Sequence, residues 1–347
     1  CSSDLIRGEV GEEPAKFPYV QAGATGIHLV RPRHVVVRDL MAGNGTGSLL
    51  TIEGETDPTK PPLDANVVVT GLRLMQTQPE AAQVAIRVRG VSRVDMRDIT
   101  VKGWNAAAVV FENASQCSLN ACVLDADRGL PQRVGVRVMQ GCSQIALGGL
   151  TFAPNVGVGF RLGDCDGAPA DAPAASRVLV RRCCLPDAQV FAWLGAVEDA
   201  YIESNTATGV RRSVLAAGET CAAPRNVLLQ GNLFSWLPGT LDRIGDMPPT
   251  IAPESVRLMA NLWFSSELPG AFEVIGRPFG VELQPQVFDV DPKVEDRSGE
   301  PRTDAAKAFG WKSTTVRVPP PKPRTGAGQR PTETPSPAPG ARPAGGN

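Results

Sequence analysis

The sequence predicts an all-β fold, built as one parallel β-helix of about nine to ten coils. Two sets of short runs rich in Val, Ile and Leu recur along the chain, and apolar and polar residues alternate within them. Successive members of the first set start 22 to 33 residues apart. No helical stretch separates the runs, which excludes βαβ architectures, and no sustained Leu-rich pattern indicates leucine-rich repeats.

The first set supplies one strand and one corner of each predicted coil. Its nine six-residue members begin at residues 35, 67, 94, 117, 145, 178, 200, 227 and 256. The fourth position is mostly polar and is expected to face solvent. The sixth position is aliphatic or Cys in the early members and becomes Asn205, Asn232 and Asn261 in the last three. Because stacked amides can hydrogen-bond one another at a coil corner, this register predicts an asparagine ladder.

The second set supplies another strand, and each of its members precedes a member of the first set. Its eight members are 26–29, 48–52, 84–88, 108–111, 134–138, 158–162, 190–194 and 213–217. Each coil is therefore predicted to contain two short strands and one variable loop.

The ends differ in composition from this repeat. We predict a β-helix over residues 23–290, an N-terminal cap over 1–22 and a C-terminal cap over 291–317, because a β-helix needs both end edges covered. Residues 318–347 are rich in Pro, Gly, Thr and Arg and have no large apolar residue after Val318. They are predicted to form a disordered tail.

Charge and hydropathy exclude two classes of protein. Lys and Arg total 35 and Asp and Glu total 36, so the formal net charge is -1. Such a balance argues against a generic nucleic-acid binder, which needs a basic surface. No run of 18 apolar residues is present, so no transmembrane segment is predicted.

The cysteines leave several alternatives open. The first residues, Cys1-Ser2-Ser3, resemble the start of a lipid-anchored bacterial lipoprotein, and the alternative is a fragment of a longer precursor. Cys117 and Cys122 are one potential disulfide pair, and Cys165 has Cys183 or Cys184 as potential partners. Buried free thiols are the competing interpretation. No Cys or His spacing indicates a zinc site.

The coil pattern resembles a known group of proteins. The segments GIHLVRPRHVVVRDL and VAIRVRGVSRVDMRDI, with the late coils at 226–234 and 255–264, resemble bacterial right-handed parallel β-helix proteins of the pectate-lyase-like superfamily. Residues 288–310 resemble the segment that closes such helices, although Lys293 and Val294 replace its usual aromatic residue. The resemblance implies an extracellular or cell-envelope protein whose partner is a polysaccharide or cell-wall glycan.

The resemblance also suggests chemistry to look for. Lyases of this group use carboxylates for Ca²⁺ and a basic side chain, and two short acidic loops with neighbouring arginines supply those residue types. The catalytic candidates are Asp125, Asp127, Asp164, Asp166, Arg181 and Arg182. A hydrolase would instead need a pair of carboxylates at a suitable separation, and no motif selects such a pair.

Aromatic residues provide the candidate sugar-binding surface. Trp104, Trp236 and Trp263 follow or end strand-like runs, so we consider them as platforms for a pyranose ring, with core packing as the alternative. Trp193 lies inside an apolar run and is expected in the core. The sequence thus favours polysaccharide recognition. Two functions remain as alternatives: a lyase or glycoside hydrolase, and a non-catalytic structural or adhesive module.

Overall fold

Three parallel sheets, which we call A, B and C, are built from strands that the chain visits in a fixed rotation. This computed structural model describes residues 5–7, 19–20, 26–43, 47–57, 59–76, 84–126, 133–154, 156–166, 172–218, 221–268, 270–288, 290–294 and 300–310. After each sheet C strand the chain enters sheet A, then sheet B, and then returns to sheet C one coil further on. The arrangement confirms the predicted right-handed parallel β-helix. The predicted tail, residues 318–347, lies outside the described residues.

Sheet A has eleven strands and contains every member of the first sequence set. Its strands are β1 (Leu5–Arg7), β4 (Val35–Arg38), β7 (Leu63–Thr70), β10 (Val91–Arg97), β13 (Ser115–Asn120), β16 (Ser143–Gly148), β19 (Ala175–Arg181), β22 (Val197–Glu203), β25 (Arg225–Gln230), β28 (Val256–Met259) and β30 (Val281–Gln284). The first residues of neighbouring members are register partners, as Val35, Val67 and Val94 illustrate.

Sheet B has ten strands of two or three residues, and all but the first lie in segments that the sequence predicted as part of the variable loop. They are β2 (Tyr19–Val20), β5 (Met41–Gly43), β8 (Arg73–Met75), β11 (Thr100–Lys102), β14 (Val123–Asp125), β17 (Thr151–Phe152), β20 (Cys184–Pro186), β23 (Thr206–Thr208), β26 (Leu233–Ser235) and β29 (Leu262–Phe264). Strands β1 and β2 fall inside the segment predicted as a cap and extend sheets A and B.

Sheet C has nine strands and contains the whole second sequence set. They are β3 (Ile27–Val30), β6 (Leu50–Glu53), β9 (Val84–Arg89), β12 (Ala107–Glu112), β15 (Val134–Met139), β18 (Val158–Asp164), β21 (Val190–Leu194), β24 (Ser213–Ala217) and β27 (Arg243–Asp246). The described helices are one short α-helix, α1 (Ala271–Val274), and 3-10 turns at Pro253–Ser255 and Asp304–Ala306.

The core lies between the three sheets, where like side chains stack from coil to coil. Five aromatic rings form one continuous column, in which neighbouring centroids are 4.7–5.7 Å apart. The rings belong to Phe152, Phe160, Phe191, Phe234 and Trp263. The three Phe–Phe contacts are edge-to-face and that of Phe234 with Trp263 is tilted, and such contacts stabilise the stack beyond the burial of apolar area.

Amide side chains fill the corner between sheets A and B in the late coils. Asn205 Nδ2 donates to Asn232 Oδ1 at 2.9 Å, and Asn232 Nδ2 donates to Asn261 Oδ1 at 2.8 Å. Gln286 Oε1 accepts from Asn261 Nδ2 at 3.0 Å and continues the row. All three Asn side chains are fully buried, so these bonds satisfy polar groups that have no access to water.

The C-terminal segment folds back onto the outer side of sheet B. Leu233 and Leu262 pack with Ala306, and Phe309 lies against the same cluster. The Gly310 backbone N–H donates to the Gly231 carbonyl at 2.8 Å. Part of the predicted C-terminal cap, residues 300–310, therefore covers a strand face near the end of the helix.

Candidate functional site

A row of polar and aromatic side chains crosses three neighbouring strands on the outward face of sheet C. Arg137 on β15 is the register partner of Arg161 on β18, and Arg161 is the register partner of Trp193 on β21. Since neighbouring strands lie about 4.8 Å apart, the three side chains are spaced at about that interval. Ala216 on β24 follows Trp193 in the same register. We call Arg137, Arg161 and Trp193 the sheet C row.

A buried carboxylate holds the two arginines of the row in place. Asp164 Oδ2 accepts from Arg137 Nε at 2.7 Å and lies 2.6 Å from its Nη2. The same oxygen lies 3.2 Å from Arg161 Nε. Asp164 Oδ1 accepts the backbone N–H of Asp166 at 3.2 Å. The Asp164 side chain is fully buried, so it acts as a fixed internal anchor for both guanidinium groups.

A β-bulge explains how Asp164 reaches this position. The pairing of β15 with β18 shifts by one residue after Val138, so that Met139 faces Asp164 and Gly163 is left over. Gly163 has a φ of 72°, and a Cβ there would overlap the backbone of Ala196. Only glycine fits this bulge without strain, and the bulge re-aims the next side chain toward the arginines.

Trp193 does not lie in the core, contrary to the expectation from the sequence. Its neighbours Phe191, Ala192 and Leu194 are buried, whereas Trp193 is partly exposed on the outward side of β21. The Arg161 Cζ atom lies 4.5 Å from the centroid of the Trp193 ring, which is a cation–π contact. A Cβ at Gly195 or Gly218 would lie 2.7 Å from the ring, so these two glycines make room for it.

A disulfide fixes the loop that leaves the row. Cys165 lies between Asp164 and Asp166 and is bonded to Cys221, which follows β24. The predicted pairing of Cys165 with Cys183 or Cys184 was therefore wrong, because Cys183 lies at the corner between sheets A and B and Cys184 begins β20 in sheet B. The bond joins the loop after β18 to the segment after β24, two sheet C strands further along the chain. Trp193 on β21 lies between the two cysteines in sequence.

The other cysteines in the described residues are buried free thiols, as the alternative interpretation proposed, and Cys117 and Cys122 are not bonded to each other. Loss of solvation raises the pKa of each of these thiols from 9.0 to about 12; they are Cys117, Cys122, Cys142, Cys183 and Cys184. They are neutral apolar residues at ordinary pH rather than nucleophiles.

The predicted catalytic residues do not converge. Asp164 is buried beneath its arginines, whereas Asp166 is exposed. Arg181 is the last residue of β19 in sheet A, and Arg182 lies at the corner that follows this strand, so both are on a different sheet from Asp164. Asp125 ends β14 in sheet B, before the chain enters sheet C, whereas Asp164 ends a sheet C strand. Asp127 lies outside the described residues.

The three predicted sugar-binding tryptophans are buried. Trp104, Trp236 and Trp263 expose at most a few per cent of their surface. Trp236 Nε1 lies 3.3 Å from Glu267 Oε1, and Trp263 Nε1 donates to Gln286 Oε1 at 3.2 Å. Because these rings pack inward, they offer no face to a sugar, and the core-packing alternative describes them correctly.

Ca²⁺ binding at the acidic loops stays a prediction. Within the part of the chain that the structure describes, no group of three or more His, Cys, Asp or Glu side chains is placed to hold a metal ion. Asp164 and Asp166 instead pair with Arg137 and Arg161. No helix among the described residues is long and apolar enough to cross a membrane.

These features define a parallel β-helix protein with a polar and aromatic row on one sheet. No protein-family model matches the sequence, and no curated protein matches it. Among solved structures, the chain is similar in fold to the A-module of mannuronan C-5 epimerase AlgE6 from Azotobacter vinelandii. The TM-score is 0.52 at 12% identity, and the match covers 77% of this chain and 78% of that chain.

A second similar structure is XylC in its complex with xylose. The TM-score is 0.51 at 9% identity, and the match covers 80% of this chain. The chain spans only 55% of the length of XylC. At these identities both similarities concern the fold.

Proposed function

We propose that this protein binds polysaccharide on the outward face of sheet C, through the sheet C row. The observation that carries the proposal is the partly exposed Trp193 ring, which is stacked with an arginine that a buried carboxylate fixes in place. A preformed site of this kind loses little conformational entropy when a ligand binds. Flat aromatic rings and planar guanidinium groups also match the apolar faces and hydroxyl groups of sugar rings.

The row is better suited to binding than to chemistry. The carboxylate at its centre, Asp164, has no contact with solvent and therefore no access to a substrate. Both arginines are held by carboxylates of the protein, which is an arrangement that fixes their position rather than one that transfers protons. A lyase or hydrolase activity is the alternative that the experiment below addresses.

The known structures with this fold provide limited support. The epimerase is named for mannuronan, which is a polysaccharide, and XylC binds xylose, which is a sugar, in its complex. Their similarity to this chain concerns the fold alone, so the proposal that this protein binds a sugar rests on the sheet C row.

We also propose that the protein acts outside the cytoplasm, at the cell envelope or in the extracellular space. The Cys165–Cys221 disulfide supports this location, because such bonds persist in oxidising compartments. Mass spectrometry of protein purified without reductant tests the bond directly. A reduced Cys165 in protein taken from its native host would contradict the proposed compartment.

The binding proposal is tested by co-sedimentation with insoluble polysaccharides and by affinity electrophoresis in gels that contain soluble ones. We expect Trp193→Ala to lose binding by at least tenfold. Tyr201→Ala is the matched control, because Tyr201 is an exposed aromatic residue on sheet A rather than sheet C. Equal loss in both variants, or no binding by the native protein to any polysaccharide tested, would overturn the proposal.

The same samples distinguish binding from catalysis. Unsaturated uronate absorbance and new reducing ends are followed during incubation, with and without Ca²⁺. The binding proposal expects neither signal to rise above a protein-free blank. Unsaturated product would identify a lyase, and reducing ends alone would identify a hydrolase.

A further inference from the structure

We propose that the sheet C row takes an uncharged saccharide rather than a polyuronate. This inference rests on the proposed function and adds the chemical class of the ligand. It follows from how charges are paired around Trp193.

Every arginine adjoining the row has a carboxylate partner. Arg137 and Arg161 share Asp164, and Arg161 also lies 3.1 Å from Asp166. Beyond Ala216, the next register partner is Asp246, which lies 3.1 Å from Arg212. Three guanidinium groups therefore face three carboxylates, and their charges sum to zero. A uronate would have to displace a carboxylate already bound within the protein.

The difference in solvent exposure between the charged side chains also disfavours an anionic ligand. The side chains of Arg137 and Arg161 are 21% and 20% exposed, whereas that of Asp166 is 59% exposed. A ligand that approaches the row from solvent meets the carboxylate of Asp166 before it reaches the two guanidinium groups. This carboxylate repels a uronate, but it accepts hydrogen bonds from the hydroxyl groups of a neutral sugar.

Hydrogen-bond acceptors flank the Trp193 ring. Ala216, the residue opposite Trp193 on β24, is small and buried, so Trp193 is the side chain that a ligand contacts at this point of the row. One strand further, the Asp246 carboxylate provides a second acceptor at about 10 Å from Trp193 along the sheet. Acceptors thus lie on both sides of the aromatic ring, with Asp166 on the side of Arg161 and Asp246 on the side of β27.

One cation on this face needs separate consideration. Arg243 begins β27 and has no carboxylate partner among the described residues. It lies two strands from Trp193 and three residues earlier in register, which corresponds to about 14 Å. Arg243 is therefore not one of the groups that adjoin Trp193 in register.

Titration calorimetry with defined polymers tests the inference. The neutral probes are xylan, galactomannan and mixed-linkage glucan, and the acidic probes are polygalacturonate and alginate. We expect at least one neutral polymer to bind, with an affinity that changes less than twofold between 50 and 500 mM NaCl, and we expect at least tenfold weaker binding of both acidic polymers. Charged ligands would show a strong salt dependence because ions screen exposed charges.

The outcomes separate the inference from the proposed function. Binding of an acidic polymer that depends on Trp193 and weakens with salt overturns the inference and leaves the proposed function standing. Binding of no polymer overturns both. Asp166→Asn provides a further check, because removal of the exposed carboxylate leaves a net positive site. We expect this variant to gain affinity for polygalacturonate, and an unchanged affinity would contradict the role given to Asp166.

Discussion

The clearest energetic test compares the same substitution at two positions that lie two residues apart, one buried at the end of β18 and one exposed beyond it. Asp164→Asn is isosteric, so it creates no cavity, but it replaces a carboxylate that faces Arg137 at 2.6–2.7 Å and Arg161 at 3.2 Å. In either orientation of the new amide, its NH₂ group faces a donor that the carboxylate had satisfied. Removal of one partner from a buried ion pair costs about 3–5 kcal/mol, and we expect the free energy of unfolding to fall by that amount.

Asp166→Asn is the matched control. Asp166 contacts the same two arginines, at 3.1 and 3.8 Å, but its side chain is mostly exposed. Exposed ion pairs contribute about 0–1 kcal/mol, so we expect a loss within that range. Urea denaturation followed by fluorescence measures both variants, together with co-sedimentation for binding. Similar losses for the two variants would refute the role of Asp164 as the buried anchor of the row.

Three further predictions concern the scaffold. Asn232→Ala removes a side chain that makes four hydrogen bonds, and we expect it to lower the free energy of unfolding, measured by urea denaturation, by about 3–5 kcal/mol. The control is Asn120→Ala, on the outward side of sheet A, which should change this free energy by less than about 0.5 kcal/mol. Equal effects would contradict the structural role of the buried amides. Replacement of both Cys165 and Cys221 by Ser removes a cross-link that spans 56 residues, and it should lower the free energy of unfolding by about 2–4 kcal/mol relative to the oxidised protein. An unchanged free energy of unfolding would contradict a stabilising role of the disulfide. The buried thiols should not react with Ellman's reagent at pH 8 until the protein unfolds. Because their folded pKa of about 12 exceeds the ordinary value of 9.0, their contribution to stability is intact below pH 9 and is lost as the pH rises toward 12; a flat pH dependence across that interval would contradict this account.

The fold could be predicted because its strands repeat in register. The residues that open the members of the first sequence set are the residues that stack in sheet A, as Val178, Ala200 and Val227 do. Sheet B escaped prediction for a physical reason. A strand of two or three residues is too short to show alternation, so Thr151–Phe152 and Leu262–Phe264 resemble loop sequence.

The site was harder to predict because side-chain direction depends on register rather than on hydrophobicity. Trp193 lies in the apolar run VFAWL, which suggested the core. It occupies the fourth position of the second set, where Arg137 and Arg161 stand in the two preceding coils. That alignment is a signal for an outward side chain. The bulge at Gly163 and the pairing of Cys165 with Cys221 depend on contacts between coils and have no local sequence signal.

Hydroxyl-radical footprinting with mass spectrometry tests the central claim most directly, because it reports where a saccharide contacts the native protein. Trp193 on sheet C and Tyr201 on sheet A are both accessible aromatic residues and serve as probes of the two faces. With a saturating neutral polysaccharide, our account predicts that oxidation of Trp193 falls severalfold while oxidation of Tyr201 is unchanged. Protection of Tyr201 with unchanged oxidation of Trp193 would place the ligand on sheet A and contradict the account.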